Sequence, residues 1–211
     1  MDGVTLKETE DKFEVLLGIK MQSNLKWSEQ VETLSGKLKT RVNGLNRLRY
    51  SMGKTNKQNI VQGLFNSVLC YCLPLFGGCN TNEILNLQIQ QNRAARIVLN
   101  LPPRFNRETM FKRLGWMSLQ QLVAYHSLLA VYRVRQSQEP EYLARSLSRD
   151  NYRVNIIVDN SRLGLYNRSF VPRSSTLWNS LPTSLRKTAK IGCFKQELRK
   201  WVEGNMEMFT D

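Results

Sequence analysis

The side chains that most often carry chemistry are sparse in this sequence. Two-metal phosphoryl transfer and polymerisation need carboxylates gathered around divalent cations, yet the aspartates Asp2, Asp11, Asp150, Asp159 and Asp211 include no adjacent pair. A Ser or Cys nucleophile needs a base beside it, and the single histidine, His126, stands in an apolar segment with no evident partner. A lone histidine in such a setting reads as a packed core residue. Cys70, Cys72, Cys79 and Cys193 lack the paired two-residue spacing of a zinc site. They are also too few and too unevenly placed for a secreted disulfide framework, and read as buried thiols in a reducing compartment. No P-loop or dinucleotide-binding glycine fingerprint occurs, and Gly77 with Gly78 reads as a helix stop. The expectation is a chain with no catalytic set, no cofactor and no metal.

Charge is the feature that remains. Across 211 residues, 31 Lys and Arg stand against 17 Asp and Glu, a formal surplus of +14 that suits a polyanionic partner. Its distribution is uneven. Asp2, Glu8, Glu10, Asp11 and Glu14 make the first 14 residues acidic, whereas no acid occurs from Thr33 to Asn82, a stretch holding Lys37, Lys39, Arg41, Arg47, Arg49, Lys54 and Lys57. Further basic clusters run from Arg93 to Arg113, with Arg93, Arg96, Arg104 and Arg107, and from Arg186 to Lys200. No apolar run approaches the roughly 18 residues of a membrane span, and the N-terminus is unlike a signal peptide, so the expected location is intracellular, cytoplasmic or nuclear.

Those bases need elements to hold them. Phe13, Val15, Leu17 and Ile19 alternate within Lys12 to Met21, predicting one short strand. Val31, Leu34, Leu38, Val42, Leu45 and Leu48 recur at threes and fours, predicting a helix from about Ser28, its N-cap, to Arg49. At about 100° per residue its five bases do not share one face. A second helix begins at a Thr55 cap, with a broad apolar band of Ile60, Val61, Leu64, Phe65, Val68, Leu69 and Cys72, and stops at Pro74. A third spans about Thr81 to Asn100, first polar and then RAARIVL, closed by Pro102 and Pro103; short helical turns follow at Glu108 to Leu114. Ser118 to Arg135 is apolar nearly all round and reads as the central helix of a bundle. After Pro140 the pattern loosens. RVNIIVDN reads as a short strand, Ser161 to Arg173 as mostly polar, and Phe194 to Val202 as a last helix.

Several motifs carry a resemblance. VLLGIKMQSNLKW followed by SEQV is similar to the stretch after the catalytic palm strands in reverse transcriptases of non-LTR, LINE-type retrotransposons. KLKTRVNGLNRLR resembles that family's basic helix, and LFNSVLCYCLPLFGGC its long apolar helix with a Gly-rich turn. LQIQQNRAARIVLNLPPR resembles its LQ-x-x-QN-R-A-x-R segment, and FKRLGWMSLQQLVAYHSLLAVYRV its Leu-Gly-Trp and buried helix. LWNSLP, ahead of FKQELRKW, resembles its close and is the most specific element. The likeness covers about Lys12 to Trp201, with departures at Val31, where the family often has His-Ile, and at Leu16, where it has an aromatic residue. It implies the end of the palm, the thumb and the C-terminal connector, without the palm's paired aspartates.

Together these readings give a mainly α fold: a thumb-like helical bundle over 28–136, preceded by one short strand within 1–27 and followed by a looser helical connector over 137–211. Trp27, Trp116, Trp178 and Trp201 sit beside apolar neighbours and read as packing residues rather than base-stacking ones. The expected function is that of a non-catalytic reverse transcriptase fragment. Its residual partner would be the backbone of an RNA or DNA duplex, met by Lys37, Lys39, Arg41, Arg47, Arg49, Arg93, Arg96, Arg104 and Arg107. The rival reading is a helical protein-interaction module retained by a host. A membrane-surface binder fits less well, because the apolar faces are too broad for interfacial helices. Purified protein in a primer-extension assay should give no magnesium-dependent incorporation above a buffer control; measurable incorporation would overturn the non-catalytic reading.

Overall fold

The computed structural model describes residues 13–151, 155–159, 161–205 and 208, the first two as backbone only. The acidic run from Asp2 to Asp11, Lys12, and Arg153, Val154 and Asn160 of the expected second strand lie outside the described residues. The chain is mainly helical, with two short strands at the start.

Where one strand was expected, two form. β1 (Phe13–Leu16) and β2 (Ile19–Gln22) pair antiparallel, Leu16 opposite Ile19 and Phe13 opposite Gln22. Leu17 and Gly18 join them with φ of +50° and +79°, the left-handed pair that a two-residue hairpin turn requires. A period-two pattern runs through such a turn without interruption, and Leu-Gly lacks the usual Asn-Gly signal, so the reversal is hidden in the sequence. Ile19 is buried, whereas Val15, Leu16 and Leu17 are exposed.

The hairpin docks on α1 (Ser28–Arg47) through two glutamines. Gln30 Oε1 accepts from the Lys20 N–H at 3.0 Å, and Gln22 Oε1 accepts from the Glu29 N–H at 3.5 Å. Ser28 therefore does not cap the helix as expected; Trp27 takes the N-cap position without a side-chain bond, and Gln22 meets one of the orphan N–H groups instead. Val31, Leu34, Leu38, Val42 and Leu45 are buried, as their spacing predicts, whereas Leu48, expected on the same stripe, is exposed because the helix ends at Arg47 and Leu48 is its C-cap.

α2 (Lys54–Ile60) passes into a π-helical turn, Val61–Asn66, and then α3 (Ser67–Leu69) and α4 (Leu73–Phe76). Gly53, not Thr55, is the N-cap. Val61, Phe65, Leu69, Leu73 and Phe76 are buried, but Leu64 is 54% exposed, so the apolar band is narrower than expected. Leu64 lies at the band's margin, where its carbonyl accepts from the Arg41 guanidinium of α1.

Side chains cap the next three helices. Asn80 and Glu83 form a complete capping box on α5 (Thr81–Leu99), Asn106 accepts from the Thr109 N–H at 2.9 Å on α6 (Arg107–Leu114), and Ser118 with Gln121 boxes α7 (Leu119–Ser137). The C-terminal part contains α8 (Glu141–Leu147), α9 (Gly164–Arg168), α10 (Phe170–Asn179), α11 (Thr183–Arg186) and α12 (Ile191–Gly204). Ser161 to Arg173, expected to be irregular and polar, holds α9 and the start of α10. The pattern misled because α10 buries Pro172, Ser174 and Ser175 beside Trp178, and Ser174 satisfies its hydroxyl on the Phe170 carbonyl. In place of the expected RVNIIVDN strand, the described residues show a single bridge between Asp150 and Ile156. Gly78 does more than stop a helix: a Cβ there would stand 1.9 Å from the Arg168 carbonyl oxygen, so only glycine lets α9 close on the end of α4.

Two hydrophobic clusters result. One joins α1, the α2–α4 run, α5 and α6; the other joins α7, α8, α10, α11 and α12. α7 contributes to both, Leu119 and Val123 to the first and Leu128, Val131 and Tyr132 to the second. Among the described residues no helix is long and apolar enough to cross a membrane.

The LWNSLP segment is the hub of the second cluster. Trp178 is buried, with its ring 6.0 Å from Phe194 and the Arg135 guanidinium 5.4 Å above it. Arg135 also grips Asp150 with two bonds of 2.9 and 2.7 Å. Asn179 closes the neighbouring loop by accepting from the Ile156 N–H at 2.8 Å and donating to the Ile156 carbonyl at 2.9 Å. Trp178→Ala should therefore destabilise the fold by about 3 kcal/mol in a denaturant titration; an unchanged midpoint would show that the ring contributes little to packing.

Candidate nucleic-acid interface

Helical geometry divides the bases of α1 between two flanks. With the buried stripe centred on Leu38, Lys37 and Arg41 lie to one side, one turn apart. Lys39, Asn43 and Arg47 follow one another at four-residue steps from the other flank round to the face opposite the stripe, at about 100°, 140° and 180° from Leu38. Lys37, Lys39 and Arg47 are exposed. Arg93 of α5 reaches across the helix seam to this second flank, where one terminal nitrogen donates to Asn43 Oδ1 at 3.1 Å and the other to Gln90 Oε1 at 3.1 Å. Asn43 thus joins Lys39 and Arg47 of one helix to Arg93 of the next.

The other candidates are placed differently. Arg41 is half-buried and tied to the Leu64 carbonyl. Arg49 is half-buried, donates to the Leu101 carbonyl at 2.7 Å and lies 5.5 Å over the Tyr50 ring; its Nε is buried without a partner. Arg96 is half-buried too, again with an unpartnered Nε. Arg104 is exposed in the α5–α6 connection, and Arg107 is half-buried at the first position of α6. The nine bases therefore do not form one surface. Lys39, Arg47 and Arg93 gather around Asn43; Arg49 and Arg96 turn partly inward, where Arg49 links chain segments.

Electrostatics favours an outside anion. Among the described residues, ion pairs join Lys20 to Glu29, Arg135 to Asp150, Arg145 to Glu141, Arg149 to Asp159 and Arg199 to Glu203. None involves any of the nine bases, so among the described residues their charge is left without a carboxylate partner. Each surface pair elsewhere contributes little to stability, but a group of unpaired cations raises the local potential for phosphate.

One base of the acid-free stretch has another role. Lys57 is only 3% exposed, and its Nζ donates to Asn100 Oδ1 at 2.8 Å, the Arg49 carbonyl at 3.0 Å and the Ile97 carbonyl at 3.4 Å. It is a buried cation at the C-terminal end of α5, where orphan carbonyls and the helix dipole welcome positive charge. Burial, aided by the nearby Arg49 charge, lowers its pKa from the ordinary lysine value. A signal was present in the sequence: Lys57 precedes Val61 by four residues and Phe65 by eight, which puts it on the buried stripe.

The cysteines are less buried than expected, Cys70, Cys72 and Cys79 being half-buried and Cys193 exposed. Burial pushes the Cys70 thiol up to about 11, and burial with the adjacent Glu83 carboxylate pushes Cys79 up to about 12, so neither supplies thiolate near neutral pH. His126 is half-buried, and its pKa is lowered by desolvation and by the Arg133 charge, so the neutral imidazole prevails at pH 7. Among the described residues no three His, Cys, Asp or Glu converge to hold a metal ion.

Lys57 and the surface bases can be told apart experimentally. Lys57→Met leaves two carbonyls and an amide oxygen without their donor, and should cost on the order of 2 kcal/mol of stability in a denaturation experiment. It should leave the salt dependence of any nucleic-acid binding unchanged, whereas a flatter dependence would place Lys57 at the ligand. No family model, curated protein or solved structure matches the chain, so a reading of its function rests on the chemistry of its own residues.

Proposed function

We propose that this chain binds the sugar-phosphate backbone of an RNA or DNA duplex without sequence preference, as a non-catalytic part of a LINE-type reverse transcriptase. The observation that carries the binding role is the set Lys39, Arg47 and Arg93 around Asn43: three cations on two packed helices, none neutralised by a carboxylate among the described residues. Lys39 and Arg47 are eight residues apart, about 12 Å along the helix axis, and the α1–α5 seam holds the third cation beside them. A row of that kind can meet successive phosphates, with Arg93 already held by Asn43 and Gln90. Nothing in it reads a base edge, because long flexible cations fixed to phosphates position a protein without carrying sequence information. The membership of the retrotransposon family rests on the motifs from VLLGIKM to LWNSLP.

A second reading has one observation in its favour. Leu25, Leu75, Leu163 and Leu165 are exposed around an open groove of about 580 Å3 between the start of α1, the end of α4 and α9. Exposed apolar groups gathered in this way mark protein-binding surfaces more often than nucleic-acid ones, which suits a helical interaction module retained by a host.

Salt titration separates the two. Backbone binding releases counterions, so log affinity for duplex DNA should fall linearly with log salt, with a slope of roughly 0.9 per phosphate neutralised. The triple variant Lys39→Gln, Arg47→Gln, Arg93→Gln should flatten that slope by about 2 to 3 on the same scale and weaken all duplex sequences alike. Affinity that ignores salt, or an unchanged slope in the triple variant, would remove this surface from the proposal.

A further inference from the structure

The π-helical turn Val61–Asn66 interrupts what would otherwise be a regular rod from Lys54 to Leu69. Such turns carry poorer backbone bonding than an α-helix and occur preferentially at functional sites. Here the turn forms one wall of an open cleft of about 350 Å3, lined by both polar and apolar side chains, that the duplex surface does not use. Gln62 and Asn66 project from it, with Asn66 Nδ2 donating to Gln62 Oε1 at 2.7 Å while Asn66 Oδ1 stays buried without a partner. An orphaned amide oxygen is a cost that a well-packed helix would have removed.

The opposite walls come from elements far apart in sequence. Trp116 stands between α6 and α7, with its ring edge-on to Phe111 at 6.2 Å. His126 comes from α7 and has no hydrogen-bond partner among the described residues, its ring meeting that of Tyr125 edge-on at 5.5 Å. Arg199 comes from α12; its Nε donates to Glu203 at 2.9 Å and its Nη2 to the Gly115 carbonyl at 2.6 Å, which fixes the guanidinium at the cavity with Nη1 unspent. The cavity therefore brings together an aromatic ring, two side-chain amides able to donate and accept, a neutral imidazole and one anchored cation. Its volume lies at the small end of the range for ligand sites.

We infer that this cavity is a binding site for a single unpaired nucleotide. A flat heterocycle whose edge carries both donors and acceptors suits the Gln62 and Asn66 amides and the His126 imidazole, and an aromatic wall at Trp116 suits its π-face. The phosphate belongs at Arg199, the one cation of the lining, whose exposed ion pair with Glu203 engages only Nε and leaves Nη1 for the ligand. A carboxylate or inorganic anion would use Arg199 and leave the amide and aromatic walls idle. An apolar ligand would leave the amides and imidazole unpaired. The inference goes beyond duplex binding, since it assigns a second site, of different chemistry, away from the Asn43 cluster.

Because His126 is the only histidine in the sequence, its imidazole proton resonance needs no assignment and reports on the cavity directly. The full chain is titrated with adenosine 5′-monophosphate, with adenosine and inorganic phosphate in parallel. The expected result is a saturable shift of the His126 resonance by the nucleotide, at an apparent affinity at least fivefold above that for adenosine or phosphate. Arg199→Gln should remove the advantage of nucleotide over adenosine, and Gln62→Ala should weaken both; each residue is exposed, so both variants should fold. A resonance unmoved by nucleotide overturns the site, as does phosphate binding equal to nucleotide binding. Salt-dependent duplex binding alongside a silent His126 would remove the cavity and keep the duplex surface. A shifting His126 without duplex binding would keep the cavity and remove the duplex surface.

Discussion

Burial of α7 on nearly every side is the constraint to which the other elements answer. A helix with apolar residues around most of its circumference cannot lie on a surface; it must be wrapped, and one layer of helices cannot wrap it alone. Leu119 and Val123 turn to the N-terminal cluster, while Leu128, Val131 and Tyr132 turn to the C-terminal one. Burial extends to the helix start, whose orphan N–H groups then need partners that water cannot supply. Gln88 of α5 provides one by accepting from the Leu119 N–H at 2.8 Å, and Gln91 beside it donates to the Met117 carbonyl at 3.0 Å. From the other side Gln121 donates to the Val202 carbonyl of α12 at 3.1 Å. The glutamines that make the first half of α5 look polar are thus the groups that allow a buried helix to begin.

The same logic explains which cations are structural. Lys57, Arg49, Arg135 and Arg173 each donate to a backbone carbonyl in another part of the chain: at the end of α5, at Leu101, at Leu147 and at Pro74. A chain of many short helices ends in many unpaired carbonyls, and a long cationic side chain can reach them from a neighbouring element. Part of the large positive surplus is therefore spent inside the fold. What is left for an outside partner is smaller and more localised than net charge suggests, and the clearest such group is the one around Asn43.

The two candidate sites differ in the physics that would serve them. The Asn43 cluster offers long-range attraction, screened within about 10 Å at ordinary salt, and little shape. The cavity behind the π-helical turn offers shape and directional hydrogen bonding with one anchored cation. A surface that tracks a backbone and a pocket that holds one nucleotide are complementary tasks, and none of Lys39, Asn43, Arg47 and Arg93 lines the cavity.

Much of the architecture was legible from local chemistry. The stripes of α1 and α5, the all-round apolarity of α7, the Pro102–Pro103 stop and the buried LWNSLP tryptophan follow from periodicity and residue type, which depend on neighbours three or four positions away. The site was less legible. That Lys39 and Arg47 stand one turn either side of Asn43 follows from helical phase, but the approach of Arg93 to Asn43 depends on a seam between helices about 50 residues apart in sequence. Lys57 could have been placed on a buried stripe from its spacing, yet its three acceptors come from Arg49, Ile97 and Asn100 and exist only once α1, α2 and α5 have packed. The hairpin escaped because a two-residue turn preserves the alternation of a single strand, and α10 escaped because its buried face is made of serine and proline. The cavity is the extreme case. Its walls come from Gln62, Trp116, His126 and Arg199, and no local pattern joins residues so far apart, so only tertiary packing decides that they face one another.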